Sequence, residues 1–236
     1  MFAKWKPKIC FQPAAGKFAG VAGACNGRLP RRAPYSEKGI VKIGILAVQG
    51  DFEAHAARLR ELGAEPVEVR TVAQLQECAG LILPGGESTT QLQFLEEEGL
   101  LDAIRRFAAN GGAIFGTCAG AILLAKHVKN PEQKSLGLID ITVLRNGYGR
   151  QLASDVFLGS TTLKNGSLEM VFIRAPIIES AGRGVEVLAT YDHHPTLVQS
   201  GNILAGTFHP ELTDDPTVHK QFLSMAAVPV VHSVKA

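Results

Sequence analysis

Ala113-Ile114-Phe115-Gly116-Thr117-Cys118-Ala119-Gly120 sets a cysteine at the tip of a short apolar run, and a helix-like stretch, residues 121–127, follows at once. A glycine two residues to either side permits a tight strand-to-helix turn and close packing, which leaves the sulfur exposed and aimed. A strand that ends on a reactive side chain and reverses into a helix is a unit of the parallel α/β sheet. Working outward, the alternation recurs. Residues 40–48 read as a buried strand, Gly50-Asp51 caps a helix running to Leu62, and Gly63 is its stop. Further strands follow at 66–70 and 80–83, the latter ended by Pro84, then helices at 89–98 and 101–109 closed by Asn110-Gly111-Gly112. Ligands of such sheets bind outside the carboxyl ends of the strands, where the Pro84 loop and Cys118 both fall.

The second half changes character. Shorter strands are expected at 138–144, 153–163, 168–173, 185–190, 196–199 and 202–206, with a hairpin turn at Ser200-Gly201 and a closing helix over 216–225. The expected fold is therefore one α/β domain over residues 40–226, a mostly parallel central sheet flanked by helices, with extra short antiparallel strands. Residues 227–236 are read as a tail.

Charge is distributed unevenly. Residues 1–39 hold eight Lys/Arg against Glu37 alone, so they read as a basic, weakly ordered extension. Its near lack of acids leaves a targeting peptide open, its single serine (Ser36) argues against one, and a misplaced start codon is a further reading. Residues 40–236 carry 16 basic and 21 acidic side chains, a net −5 that disfavours nucleic acid. No uncharged stretch near the elbow is long enough to span a membrane. The cysteines at 10, 25, 78 and 118 form no C-x-x-C pair, so neither a disulfide framework nor a zinc site is expected. A reducing compartment, the cytoplasm, suits a working thiol.

Phe208-His209-Pro210-Glu211 adds an imidazole and a carboxylate. Cysteine attacks as the thiolate, a histidine holds its proton, and a carboxylate fixes the tautomer of that histidine. Extended geometry would point His209 and Glu211 to one face, since residues i and i+2 share a side. Pro84-Gly85-Gly86-Glu87-Ser88-Thr89-Thr90 follows a strand and opens a helix. Its backbone N–H groups can form an oxyanion hole, or the segment is a plain loop with Ser88 or Thr89 as helix cap. Asp192-His193-His194 is read as a polar turn rather than a metal site. His55 and His127 are read as surface or capping residues on helices, Cys78 as inert core, and Glu96-Glu97-Glu98 as a solvated helix end.

Gly116–Gly120 with His209-Pro210-Glu211 resembles the triad of the class I glutamine amidotransferases. Leu46–Asp51, Pro84–Thr90, Arg145–Gln151, Phe172–Pro176 and Phe208–Thr213 narrow it to a resemblance to the glutaminase subunits of pyridoxal 5′-phosphate synthase, from residue 42 to about 225. The resemblance implies a flavodoxin-like fold and hydrolysis of L-glutamine to L-glutamate and ammonia, with no cofactor and no metal. It casts Cys118 as nucleophile, His209 as proton carrier and Glu211 as its orienting partner. Gly85, Gly86, Glu87, Ser88, Arg145, Ile173 and Arg174 match glutamine-binding positions, Gly85 and Gly86 by facing the oxyanion. It also implies a partner, a (β/α)₈-barrel synthase that uses the ammonia to build pyridoxal phosphate from a pentose phosphate and a triose phosphate. Residues 46–55 are expected to contact that partner. One departure falls there: the family often has an acid immediately before the histidine, whereas Glu53-Ala54-His55 separates them.

Two other functions remain on the sequence. The glutaminase partner of another pathway, such as imidazole glycerol phosphate synthase, would share the elbow and His-Pro-Glu but not the PGGESTT segment. A non-enzymatic cysteine sensor would need neither His209 nor Glu211.

Overall fold

The computed structural model describes residues 39–147 and 154–227. The expected basic extension, the tail beyond Ala227 and the segment Tyr148–Gln151 lie outside the described residues. Chain order is β1 (Lys42–Leu46), α1 (Phe52–Glu61), β2 (Glu65–Val69), α2 (Val72–Leu75), β3 (Gly80–Leu83), α3 (Ser88–Glu97), α4 (Leu100–Ala109), β4 (Ala113–Thr117) and α5 (Ala119–Leu124). There follow β5 (Ala125–Lys129), β6 (Ile139–Leu144), β7 (Ser154–Thr161), β8 (Ser167–Ile173), β9 (Ile177–Ala181), β10 (Glu186–Tyr191), β11 (His194–Ser200), β12 (Ile203–Gly206), a 3₁₀ turn (Pro210–Leu212) and α6 (Thr217–Ala226).

The main sheet has nine strands in the order β2-β1-β3-β4-β12-β11-β10-β7-β8. Pairing is parallel from β2 to β12 and antiparallel from β12 to β8. The antiparallel strands thus extend the parallel sheet rather than decorate it. A second sheet joins β5, β6 and β9. Strands β3 and β4 are buried along their whole length because helices cover both faces, which is why their sequences show no alternation. On one face Leu81, Leu83 and Ile114 meet Leu92, Leu95 and Ile104 of α3 and α4. On the other, Ile45, Ile82 and Phe115 meet Leu59 of α1 and Val218 and Phe222 of α6.

Gly63, at φ 80, closes α1 as expected. The run behind the elbow departs from expectation. Helix α5 stops at Leu124 and the chain turns directly into β5, which carries His127 on a strand, exposed, instead of on a helix. Asp192 and His193 both have positive φ and join β10 to β11 in a two-residue turn. The polar-turn reading fits them, and among the described residues no cluster of side chains could hold a metal ion. No helix among the described residues is long and apolar enough to cross a membrane.

Candidate active site

Four loops meet at the carboxyl ends of β1, β3, β4 and β12. Leu83 pairs with Gly116, and Gly206 pairs with Thr117, so the residues that follow these three strands emerge side by side. The Cys118 N–H donates to the Gly206 carbonyl at 2.8 Å, tying the elbow to the strand that leads to His209.

Cys118 caps α5 at φ 48, ψ −101, a backbone conformation that a β-carbon disfavours. Close packing holds it there. A β-carbon on Gly120 would stand 1.9 Å from the Leu83 carbonyl oxygen, and one on Gly116 would stand 2.5 Å from the Gly120 carbonyl carbon. Both glycines flanking the cysteine are therefore needed for α5 to seat against β3 and β4.

His209 is hydrogen-bonded to Cys118 and to Glu211. Its Nδ1 is 2.8 Å from Glu211 Oε1, which leaves the other ring nitrogen for the thiol. The pair does not reach this geometry through an extended chain. Pro210–Leu212 is a 3₁₀ turn, and it folds the carboxylate back beneath the imidazole. Burial opposes charge on His209, but the hydrogen bonds to Cys118 and Glu211 prevail and push it up to about 10. Burial also opposes charge on Glu211, yet His55 and His209 hold its carboxyl below the usual range.

Gly85 lies against the imidazole. A β-carbon there would be 2.3 Å from His209 Cε1. Gln91, buried in α3, donates from Nε2 to the carbonyls of Pro84 and Gly85, 3.1 Å each, and so rivets the loop. Gly86 has φ 133, and Gln49 of the β1–α1 loop donates to the Glu87 carbonyl at 2.8 Å. Arg145 Nη2 donates to Glu87 Oε1 at 3.0 Å, so two of the expected substrate-binding residues pair with each other. Ser88 is buried, its hydroxyl directed to Gln133 Oε1 at 2.9 Å. Cys118 Sγ is 3.9 Å from the Ile173 carbonyl oxygen, and Arg174 follows it, exposed, at φ 45.

His55 overturns its expected place. It is fully buried, 3.0 Å from His219 through Nδ1 and 3.3 Å from Thr117 Oγ1 through Nε2. The signal was available in α1. His55 lies in register with Phe52, Ala56 and Leu59, the inward stripe of the helix, whereas its polarity suggested an outward face. Gln91 belongs to a similar stripe with Ser88, Leu92 and Leu95. Cys78 does match the inert-core reading, since burial pushes its thiol up to about 12.

The model of the SNO glutamine amidotransferase family matches residues 45–228. A pyridoxal 5′-phosphate synthase subunit PdxT of Koribacter versatilis is 54% identical over 185 residues, covering 78% of this chain and 95% of its own. The protein of that name from Thermotoga maritima is 50% identical over 186 residues, 78% of this chain and 99% of its own. A solved glutamine amidotransferase superposes with a TM-score of 0.74 at 47% identity, covering 79% of this chain and 99% of that one. A solved GMP synthase component from Thermoplasma acidophilum, at 18% identity and a TM-score of 0.60, covers 80% of this chain and 94% of its own and shares the fold.

Proposed function

We propose that this chain, which belongs to the SNO glutamine amidotransferase family, is the glutaminase subunit of a pyridoxal 5′-phosphate synthase. One observation carries the chemistry: a single imidazole bonded to the elbow sulfur on one side and to a buried carboxylate on the other. The cysteine-sensor reading leaves that arrangement without a use.

Cys118 attacks the side-chain amide carbon of L-glutamine as a thiolate, with the proton on His209. Negative charge passes to the amide oxygen, which N–H groups of the Gly85-Gly86 loop meet. His209 gives its proton to the departing nitrogen, and ammonia leaves as the thioester forms. Water, deprotonated by the same imidazole, cleaves the thioester to L-glutamate and restores the thiol. Arg145 suits the α-carboxylate of the substrate, because a guanidinium fork bonds both oxygens. In the absence of substrate that fork is on Glu87, so binding glutamine would exchange one carboxylate partner for another. Ser88, Ile173 and Arg174 complete the pocket rim.

The partner is a synthase subunit that consumes the ammonia, a (β/α)₈ barrel acting on a pentose phosphate and a triose phosphate. Ammonia released to neutral water is mostly protonated and lost as a nucleophile, so the two active sites must communicate. The β1–α1 loop is the natural docking element. Gly50, at φ 85, packs on Gly85 so closely that a β-carbon would be 1.9 Å from the Gly85 carbonyl oxygen. Pressure on that loop reaches the oxyanion loop directly. Glutamate release should therefore rise when the synthase is added, and Cys118→Ala should release none in either condition. Equal rates with and without synthase would remove the coupling. Glutamate release from Cys118→Ala would remove the mechanism.

A further inference from the structure

Behind the triad lies a buried line of groups that the proposed chemistry does not use. Glu211 Oε1 serves His209, and Glu211 Oε2 makes no hydrogen bond of ordinary length among the described residues. His55 Nε2 is 3.4 Å from that oxygen. Beyond it, His55 Nδ1 is 3.0 Å from His219 Nε2, and His219 Nδ1 again has no partner among the described residues. Both imidazoles are fully buried and stand edge-on to the Phe115 ring, 6.2 and 6.0 Å between centroids, which restrains their planes.

The tautomers follow from the two ends of this line. A neutral imidazole donates from one nitrogen and accepts at the other, and a carboxylate only accepts. With the proton of His55 on Nε2, it points at Glu211 Oε2 and Thr117 Oγ1. His55 Nδ1 then accepts from His219 Nε2, and His219 Nδ1 is a bare acceptor. The opposite assignment sets a lone pair of His55 against the carboxylate and strands an N–H on His219 in the core. An unpaired buried donor is the costlier fault, so the first arrangement prevails. Burial keeps both rings neutral. It lowers His55 despite the pull of Glu211, and it takes His219 down to about 3.

We propose that His55, held in one tautomer by His219, is a positioning residue for the triad, its Nε2–H steadying the second oxygen of Glu211 so that the first holds His209. Three helical segments and one strand end, namely α1, α6, the 3₁₀ turn and the end of β4, thus register the carboxylate. The proposal rests on the reading of His209 and Glu211 as the proton-handling pair. The ionisable groups facing this line are His209, Cys118, Asp51 and Arg58 besides its own members.

The test is glutamate release by the full chain with the synthase present, for His55→Phe, His55→Gln, His219→Phe and Glu211→Gln. Loss of a hydrogen bond to a charged group should lower kcat of His55→Phe about tenfold, with KM for glutamine within about twofold. The acid limb of kcat/KM should move to higher pH, because Glu211 loses a group that favours its ionised form. His55→Gln, whose side-chain N–H reaches the same place, should recover most of the rate. His219→Phe should show a smaller loss in the same direction. An unmoved acid limb in both His55→Phe and His219→Phe overturns the proposal, as does equal impairment of His55→Gln and His55→Phe. Should His55→Phe fail to fold, His55→Gln and His219→Phe decide alone. Activity retained by Glu211→Gln would instead sink the triad reading itself.

Discussion

Gly85→Ala isolates the role of the loop that touches the imidazole. The added β-carbon would be 2.3 Å from His209 Cε1, 3.1 Å from Nδ1 and 3.3 Å from Nε2. Carbon atoms approach to about 3.5 Å without repulsion, so the ring or the loop must yield by about 1 Å. The ring has little room, since Nδ1 is fixed at 2.8 Å by Glu211 and the 3₁₀ turn beneath it is buried. A displacement of about 1 Å between reacting groups costs on the order of 100-fold in rate. Gly85 does not occupy the left-handed region, so alanine adds no backbone strain of its own. Steady-state glutamate release with synthase present should fall by about that factor while the melting temperature changes by no more than a few degrees. Activity within about twofold of the parent would show that the imidazole is not packed against this loop when it works, and the reasoning would fail.

Three further outcomes follow from the same geometry. In Cys118→Ala the His209 ring loses one of the two hydrogen bonds that outweigh its burial, so its titration, followed by NMR, should move down from about 10; an unchanged value would separate the two side chains. Gln91→Leu strips the donor from the buried Pro84 and Gly85 carbonyls and should cost about 1–3 kcal/mol in urea unfolding with a loss of kcat, whereas a neutral result would show the loop is held otherwise. His219 is depressed from 6.5 to about 3, so the native state binds fewer protons than the unfolded chain across that window. Stability should therefore fall as pH drops from 6.5 toward 3, and His219→Phe should flatten that decline, read as melting temperature against pH.

The parallel half of the sheet and the elbow were legible because their signals are local. Strands β1, β3 and β4 are apolar runs bounded by Pro or Gly, and α1, α3 and α4 carry caps or stops within a few residues. The pair His209 and Glu211 was legible from spacing, though not its 3₁₀ geometry, which depends on Pro210 starting a turn. Strand β5 was not legible. Its hydrogen bonds go to β6, residues 139–144, and the apolar residues 121–124 continue a helical pattern up to its first residue. Strand β9 and helix α2 are four or five residues long, too short for a period to show. His55 was misread as exposed because polarity outweighed register, although its neighbours Ala56 and Leu59 mark the inward face. The partners that make its burial tolerable, Glu211 and His219, lie more than 150 residues away along the chain.

The most direct measurement is chemical capture on the sulfur. Full-length protein is mixed with L-glutamine and synthase, quenched in acid within the first turnover, digested and examined by mass spectrometry. A glutamyl group joined as a thioester to Cys118, absent from Cys78 and lost in His209→Asn, is the result this account predicts. Glutamate formed at the normal rate with no adduct on Cys118, or with the adduct on another residue, would contradict it.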